Sequence, residues 1–359
     1  EPDGSTGHTS AGAINDRGLV AGVTNSSGIS LMGVRWRNGT GVALLMPAGA
    51  TSAHVTAIAD DGSIVGDASR SDGTTVATAW NPDGEPRTLP GLDGARWTTA
   101  DGTNGDVTVG WSDETPVRWE GDVMSILPAP AGATGRASDV NDRDVIVGQT
   151  TKNGVTTAAV WNGDTLTGLG TLGGTSSEAN AINDLDEIVG TSTDNTGKRR
   201  AFLYSNDAMV SIQQYSASAT SEANDINNLG QVVGTVTRFD DSQAAFMWSA
   251  ANGFVELNSL LPANSGWQLE RAYGINDLGQ VVGFGLLDGV PRGFLMSAVH
   301  APVAEDATAE TDAGQPVEID LDGWDPDVVD AVTVAIVDQP EHGTLSTITD
   351  STVTYTPNV

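Results

Sequence analysis

Ala13-Ile14-Asn15-Asp16-Arg17-Gly18-Leu19-Val20-Ala21-Gly22 reads as an apolar strand, a polar turn and a second apolar strand ending in glycine. The pattern returns at Ile182-Asn183-Asp184 to Ile188-Val189-Gly190, at Ile226-Asn227-Asn228 to Val232-Val233-Gly234 and at Ile275-Asn276-Asp277 to Val281-Val282-Gly283. Its closing glycines stand at positions 22, 66, 110, 148, 190, 234 and 283, spaced 38 to 49 residues apart. A period of about 40–45 residues built from short strands marks a β-propeller or a solenoid array.

One copy shows the internal plan. Residues 177–182 alternate and read as a first strand, and 183–186 form a turn, because Asn and Asp bond their own backbone and tolerate left-handed geometry. Gly18, Gly62, Gly230 and Gly279 hold the fourth turn position in other copies, as a tight hairpin requires. Residues 187–192, 200–204 and 210–212 read as three further strands. Four antiparallel strands per repeat make one propeller blade. The count predicts an all-β, seven-bladed propeller over residues 1–299.

Two positions recur in every copy. The third strand carries Trp36, Trp80, Trp119, Trp161, Tyr204, Trp248 or Met296, bulk suited to filling the wedge between neighbouring sheets. The closing glycines read as a bulge or a close approach of backbone. The last repeat is short. Phe294-Leu295-Met296 reads as its third strand, with no fourth before Pro302. That seam is expected to have three strands or to take one from another molecule.

Composition shifts at Ala301, and residues 300–359 read as a partial Ig-like β-sandwich. The full sequence of 359 residues has no cysteine, which excludes disulfides and thiolate chemistry. Its formal charge of −31, with Lys152 and Lys198 as the only lysines, argues against nucleic acid and anionic membranes as partners. An acidic, lysine-poor surface suits high salt, exposure to calcium, or plain solvation. No apolar run reaches the roughly 20 residues of a transmembrane segment.

The repeat resembles the HAF family of extracellular repeats. Arg200-Ala201-Phe202, Ala244-Ala245-Phe246 and Arg292-Gly293-Phe294 occupy the family's His-Ala-Phe step without its histidine. Leu169-Gly170-Thr171-Leu172-Gly173-Gly174-Thr175, followed by Glu178-Ala179, is similar to the usual lead-in. Likeness is close over residues 165–299 and weak over 1–130. The tail, with Asp325-Pro326-Asp327 and Gln339-Pro340-Glu341-His342-Gly343, resembles bacterial Ig-like or cadherin-like modules. The two resemblances imply a secreted or cell-surface protein and no known reaction.

The four histidines, His8, His54, His300 and His342, are scattered, and no nucleophile elbow or phosphate loop occurs. A glycosidase-type carboxylate pair stays open because acidic residues abound. Glu178 and Glu222 hold matching places at the starts of first strands, on the face expected to bind a ligand. Trp97 and Trp267 break the blade pattern near that face and are the candidates for stacking on a sugar or a partner protein. Asp325, Asp327 and Asp330, with Asp306 in reach, are the candidate calcium ligands, hard oxygens at short spacing. The resulting expectation is a non-enzymatic structural and interaction protein, associating with its own copies by strand exchange or with envelope proteins. The alternative is a glycan-binding or glycan-active propeller.

Overall fold

The computed structural model describes all residues except 1–7, 26–30, 38, 213–218, 298–302, 305–306, 322, 325–333, 337, 350–351 and 359. It divides into two compact units, Glu1–Met296 and Ser297–Val359.

The first unit is a succession of antiparallel sheets, each with its strands side by side in chain order. Sheet 1 holds β1 (His8–Ile14), β2 (Val20–Asn25), β3 (Met32–Arg37) and β4 (Thr40–Ala43). Sheet 2 holds β5 (Ala50–Ile58), β6 (Ile64–Arg70), β7 (Thr75–Trp80) and β8 (Pro86–Thr88). Sheet 3 holds β9 (Thr98–Thr103), β10 (Val107–Ser112), β11 (Thr115–Glu120) and β12 (Val123–Ile126). Sheet 4 holds β13 (Thr134–Val140), β14 (Val145–Lys152), β15 (Val155–Asn162) and β16 (Thr165–Gly168). Sheet 5 holds β17 (Gly173–Ile182), β18 (Ile188–Asp194), β19 (Arg199–Ser205) and β20 (Ala208–Ser211). Sheet 6 holds β21 (Thr220–Ile226), β22 (Val232–Thr237), β23 (Gln243–Ser249) and β24 (Gly253–Glu256). Sheet 7 has three strands among the described residues, β25 (Trp267–Ile275), β26 (Val281–Leu287) and β27 (Val290–Met296).

The closing glycine now has a physical reason. In sheet 5 the first strand bulges between Ala179 and Ala181, and Ala179 pairs with Gly190. The bulge swings the carbonyl of Glu178 against Gly190, where a Cβ would collide with it. The same collision would occur at Gly22, Gly66, Gly110, Gly148, Gly234 and Gly283. Only glycine leaves room for so close an approach.

The core lies between sheets. Leu44 of sheet 1 packs with Val55, Ile58, Ile64 and Trp80 of sheet 2 in one buried cluster. Leu89 joins Ala100, Val117 and Trp119 in the next, and Leu127 joins Ile146 and Trp161 in the one after. Trp80, Trp119 and Trp161 are fully buried, so these third-strand residues do fill the wedges. Their indole N–H groups donate to Leu45 O, Pro90 O and Pro128 O at 2.8, 2.8 and 2.6 Å.

Neighbouring sheets are also tied by the asparagine that opens each turn. Asn183 Oδ1 accepts the N–H groups of Leu185 and Glu187, which closes its own hairpin. Its Nδ2 donates to the carbonyl of Asn227 in the next sheet at 3.0 Å. Asn104, Asn141 and Asn227 donate in the same way to Asn141, Asn183 and Asn276. Asn15 donates to Ala59. Asn276 donates to Asn15 at 2.9 Å, so the last sheet is bonded to the first. Ala59 stands at the equivalent place in sheet 2 and cannot donate; there Thr56 Oγ1 reaches Ala100 O at 2.6 Å instead.

Among the described residues the second unit holds a two-stranded and a three-stranded antiparallel sheet. Its strands are β28 (Val303–Ala304), β29 (Val317–Asp320), β30 (Gly323–Trp324), β31 (Gly343–Leu345) and β32 (Thr352–Pro357). β28 pairs with β30, and β32 lies between β29 and β31. Among the described residues no helix is long and apolar enough to cross a membrane.

Replacing Asn183 by Ala takes the side-chain donor from the buried Asn227 carbonyl and leaves the Leu185 and Glu187 N–H donors without their side-chain acceptor. Asn183→Ala is expected to lower unfolding stability by about 2–3 kcal/mol. Chemical denaturation checks this, and a loss under about 0.5 kcal/mol would show that the amide ties are incidental.

Candidate functional site

The first strands of all seven sheets line a central cavity of about 300 Å³. One mouth is formed by the turns that follow those strands. Each turn there offers an acidic or amide side chain to its neighbour. The N–H of Asp16 donates to Asp60 Oδ1, that of Asp142 to Asp184 Oδ1 and that of Asp184 to Asn228 Oδ1, at 2.8–2.9 Å. Asn228 N–H donates to Asp277 and Asp277 N–H donates to Asp16, each at 2.7 Å. These carboxylates face the cavity but are held by backbone donors, so their first task is to join sheets. Burial raises Asp16 above its ordinary value, against the bond from Asp277 N–H, and the charges of Asp277, Asp60 and Asp184 add to the rise.

Deeper in the cavity lie Asp101, Asp139 and Asp225. Burial pushes each of them up to about 7. Asp139 Oδ2 accepts the N–H of Ile182 at 3.0 Å, and Asp225 Oδ2 accepts that of Ile275 at 2.8 Å. Both bonds again cross from one sheet to the next. Asp139 and Asp225 directly follow the bulge in their strands and line the cavity beside Val140 and Ile226. Among the described residues no group of three or more His, Asp or Glu side chains is placed to hold a metal ion.

Glu178 and Glu222 lie on neighbouring sheets, and Arg199 stands between them. Its guanidinium is 3.1 Å from Glu222 and 4.0 Å from Glu178. The two carboxylates are therefore brought together, but as an exposed clasp around one cation. Trp97 is 48 % exposed, with the Arg96 guanidinium 5.3 Å from its ring. Its loop is anchored where Asp113 Oδ1 accepts the N–H groups of Arg96 and Trp97. Trp267 is different. It opens β25 and packs edge-on against Phe294 at 6.3 Å, beside the cluster of Leu257 and Leu269. Asp306, Asp325, Asp327 and Asp330, the candidate calcium ligands, lie outside the described residues.

Sequence reasoning passed over Asp101, Asp139 and Asp225. One signal was present: in Ser138-Asp139-Val140-Asn141 and Asn224-Asp225-Ile226-Asn227 a carboxyl sits where other copies place Ala181, Ala13 or Ala57.

Structural neighbours identify the fold. The β-propeller domain of the Trilobed protease from Pyrococcus furiosus matches with a TM-score of 0.53 and 12 % identity, over 80 % of this chain and 92 % of that one. A prolyl endopeptidase matches with a TM-score of 0.58 and 13 % identity, over 87 % of this chain and 54 % of that one. The extracellular domain of a protein described as a hybrid two-component system from B. thetaiotaomicron matches with a TM-score of 0.52 and 9 % identity, over 83 % of this chain and 39 % of that one. The chain thus spans about half the length of the endopeptidase. At such identities the likeness is one of fold: an all-β, propeller-like architecture. Among curated proteins none matches the chain.

These neighbours correct the expectation of a non-enzymatic protein. The matched architecture is one that peptidases carry, a puromycin hydrolase among them. The missing catalytic motifs describe the repeats and not the activity of the protein to which they belong.

The buried carboxyls set a pH dependence. Between their ordinary value of 3.8 and about 7, folded Asp139 and Asp225 keep protons that the unfolded chain has lost. Stability drawn from this is complete below about pH 4 and lost as pH rises through 7, with a slope of up to about 1.4 kcal/mol per pH unit and group. The double variant Asp139→Asn, Asp225→Asn is expected to flatten the fall in melting temperature between pH 5 and 8. An unchanged slope would refute the assignment.

A family profile described as "Protein of unknown function (DUF3466)" matches residues 131–344, more than half of the sequence, and the chain belongs to that family.

Proposed function

We propose that the first unit is a closed seven-bladed propeller of the HAF type, serving outside the cell or at its surface as a structural and interaction disc. The observation that carries this reading is the use made of the cavity's polar groups. The turn asparagines, the mouth carboxylates and half-buried Asp139 and Asp225 all bond from one sheet to the next. Side chains tied this way make a stiff ring and leave recognition to the rims. The extracellular-domain neighbour supports the location, and the propeller neighbours support the architecture. The Trilobed protease propeller has an open velcro topology, which supports a seam without a shared strand. Averaged electron-microscope images of the chain are expected to show seven lobes around a hole. Six or eight lobes would end this reading.

A second reading, saccharide binding, is favoured by Trp97. An open indole face beside a fixed cation suits stacking on a sugar ring. Glycan-array screening of the wild type and Trp97→Ala tests it. The expected result is binding that falls at least about tenfold in the variant, the worth of one stacking contact, with the melting temperature unchanged. Absence of any glycan signal rejects this reading and leaves the first intact.

A further inference from the structure

Two ion pairs made elsewhere in the repeat lack their acidic partner in one gap between sheets. We propose that this gap, between sheets 1 and 2, binds a small monocarboxylate with an apolar body, held by Arg17, Arg35 and Arg37. The proposal stands on that gap alone and not on the number of sheets in the ring.

The three arginines line a single cavity of about 320 Å³. Arg35 and Arg37 are two apart on β3 and so share one face of sheet 1. Arg17 is the third residue of the turn between β1 and β2. Among the described residues none of the three is in an ion pair. In a chain with 47 acidic and 16 basic residues, three unpaired cations around one cavity call for a reason.

The repeat shows what each arginine lacks. Arg118 of sheet 3 holds the place of Arg35, because it pairs with Val109 of the second strand as Arg35 pairs with Ala21. Two residues further on, Glu120 binds the Arg118 guanidinium. Arg37 stands where Glu120 does, so sheet 1 puts a second cation in the place of the carboxylate. Arg143 of sheet 4 holds the place of Arg17, and its guanidinium is 2.6 Å from Asp186 of sheet 5. Asp186 is the fourth residue of its turn. The fourth residue of the sheet 2 turn is Gly62, which has no side chain to offer and lines the cavity.

The acidic residues that do reach the cavity are Asp60 and Asp61. Asp60 Oδ1 accepts the N–H of Asp16 at 2.9 Å. Asp61 Oδ1 accepts the N–H and the hydroxyl of Ser63 at 2.7 and 2.6 Å. Three positive charges meet two negative ones, so one anionic group balances the site. A guanidinium takes a carboxylate through two parallel hydrogen bonds. Leu19, Val42 and Pro82 supply an apolar wall. A cavity of about 150 Å³ already takes up benzene, so a ring-sized body fits. The net charge of −31 repels polyanions, which favours a ligand with a single charge.

The test uses the full chain, with isothermal titration calorimetry of phenylacetate and its neutral isostere phenylacetamide at low salt. Saturable binding of phenylacetate is expected. The amide should bind roughly 10- to 100-fold more weakly, the worth of hydrogen bonds to a charged group. Arg37→Glu gives Arg35 the partner that Glu120 gives Arg118. It is expected to leave the melting temperature unchanged or raised while weakening phenylacetate by at least the same factor. Arg17→Gln, at an exposed turn position, carries the comparison if Arg37→Glu does not fold. Equal binding of acid and amide overturns the proposal, as does full phenylacetate affinity in the folded variant. No binding at millimolar phenylacetate overturns it as well.

Discussion

The arrangement of this molecule depends on one side-chain amide used twice. Asn183 and its counterparts turn Oδ1 onto their own hairpin and Nδ2 onto the next sheet's backbone. The first bond fixes the turn. The second fixes where the neighbouring turn must stand. A hairpin held by its own hydrogen bonds is only marginally stable, and a sheet needs a packed face. Coupling the turn geometry to the sheet-to-sheet spacing lets each repeat position the next. Such bonds are buried at a site where water competes poorly, and a missing partner there costs more than a made bond gains.

The apolar part of the ring follows the same economy of parts. Where Leu44 meets Trp80, Leu89 meets Trp119 and Leu127 meets Trp161, one aliphatic side chain and one indole fill the gap between sheets, and the closing glycine lets the bulged strand come close. Among the described residues Ala11, Ile14, Val20 and Val282, with half-buried Trp36, form the buried cluster at the seam. Polar bonds cross the same place. Asn276 and Asp277 reach sheet 1, and Gly293 N–H donates to Thr9 Oγ1.

The channel illustrates how acidity can be structural. Eight aspartates line one cavity: Asp16, Asp60, Asp101, Asp139, Asp142, Asp184, Asp225 and Asp277. Mutual repulsion and burial push several of them toward the protonated form. A protonated carboxyl can still accept an N–H on its other oxygen, which is how Asp139 and Asp225 tie sheets without a full buried charge. The stability of the first unit is therefore coupled to pH.

The amino-acid sequence by itself determined the repeat, the strands within it and the turns between them. Period, alternation and Asn-Asp-x-Gly turns are local signals, and each acts within a few residues of its own position. It also marked the third-strand tryptophans and the closing glycines, because their places recur. Only the tertiary structure decided what those residues touch. That Asn183 Nδ2 meets Asn227 O, that Glu178 and Glu222 share Arg199, and that Trp267 lies against Phe294 are contacts between distant segments, set by sheet-to-sheet geometry. The carboxyls Asp139 and Asp225 read like any other turn-flanking aspartates; the bulge before each sets the face they take. A bulge shifts which face a side chain takes, and that shift follows from the partner strand, not from the residue itself.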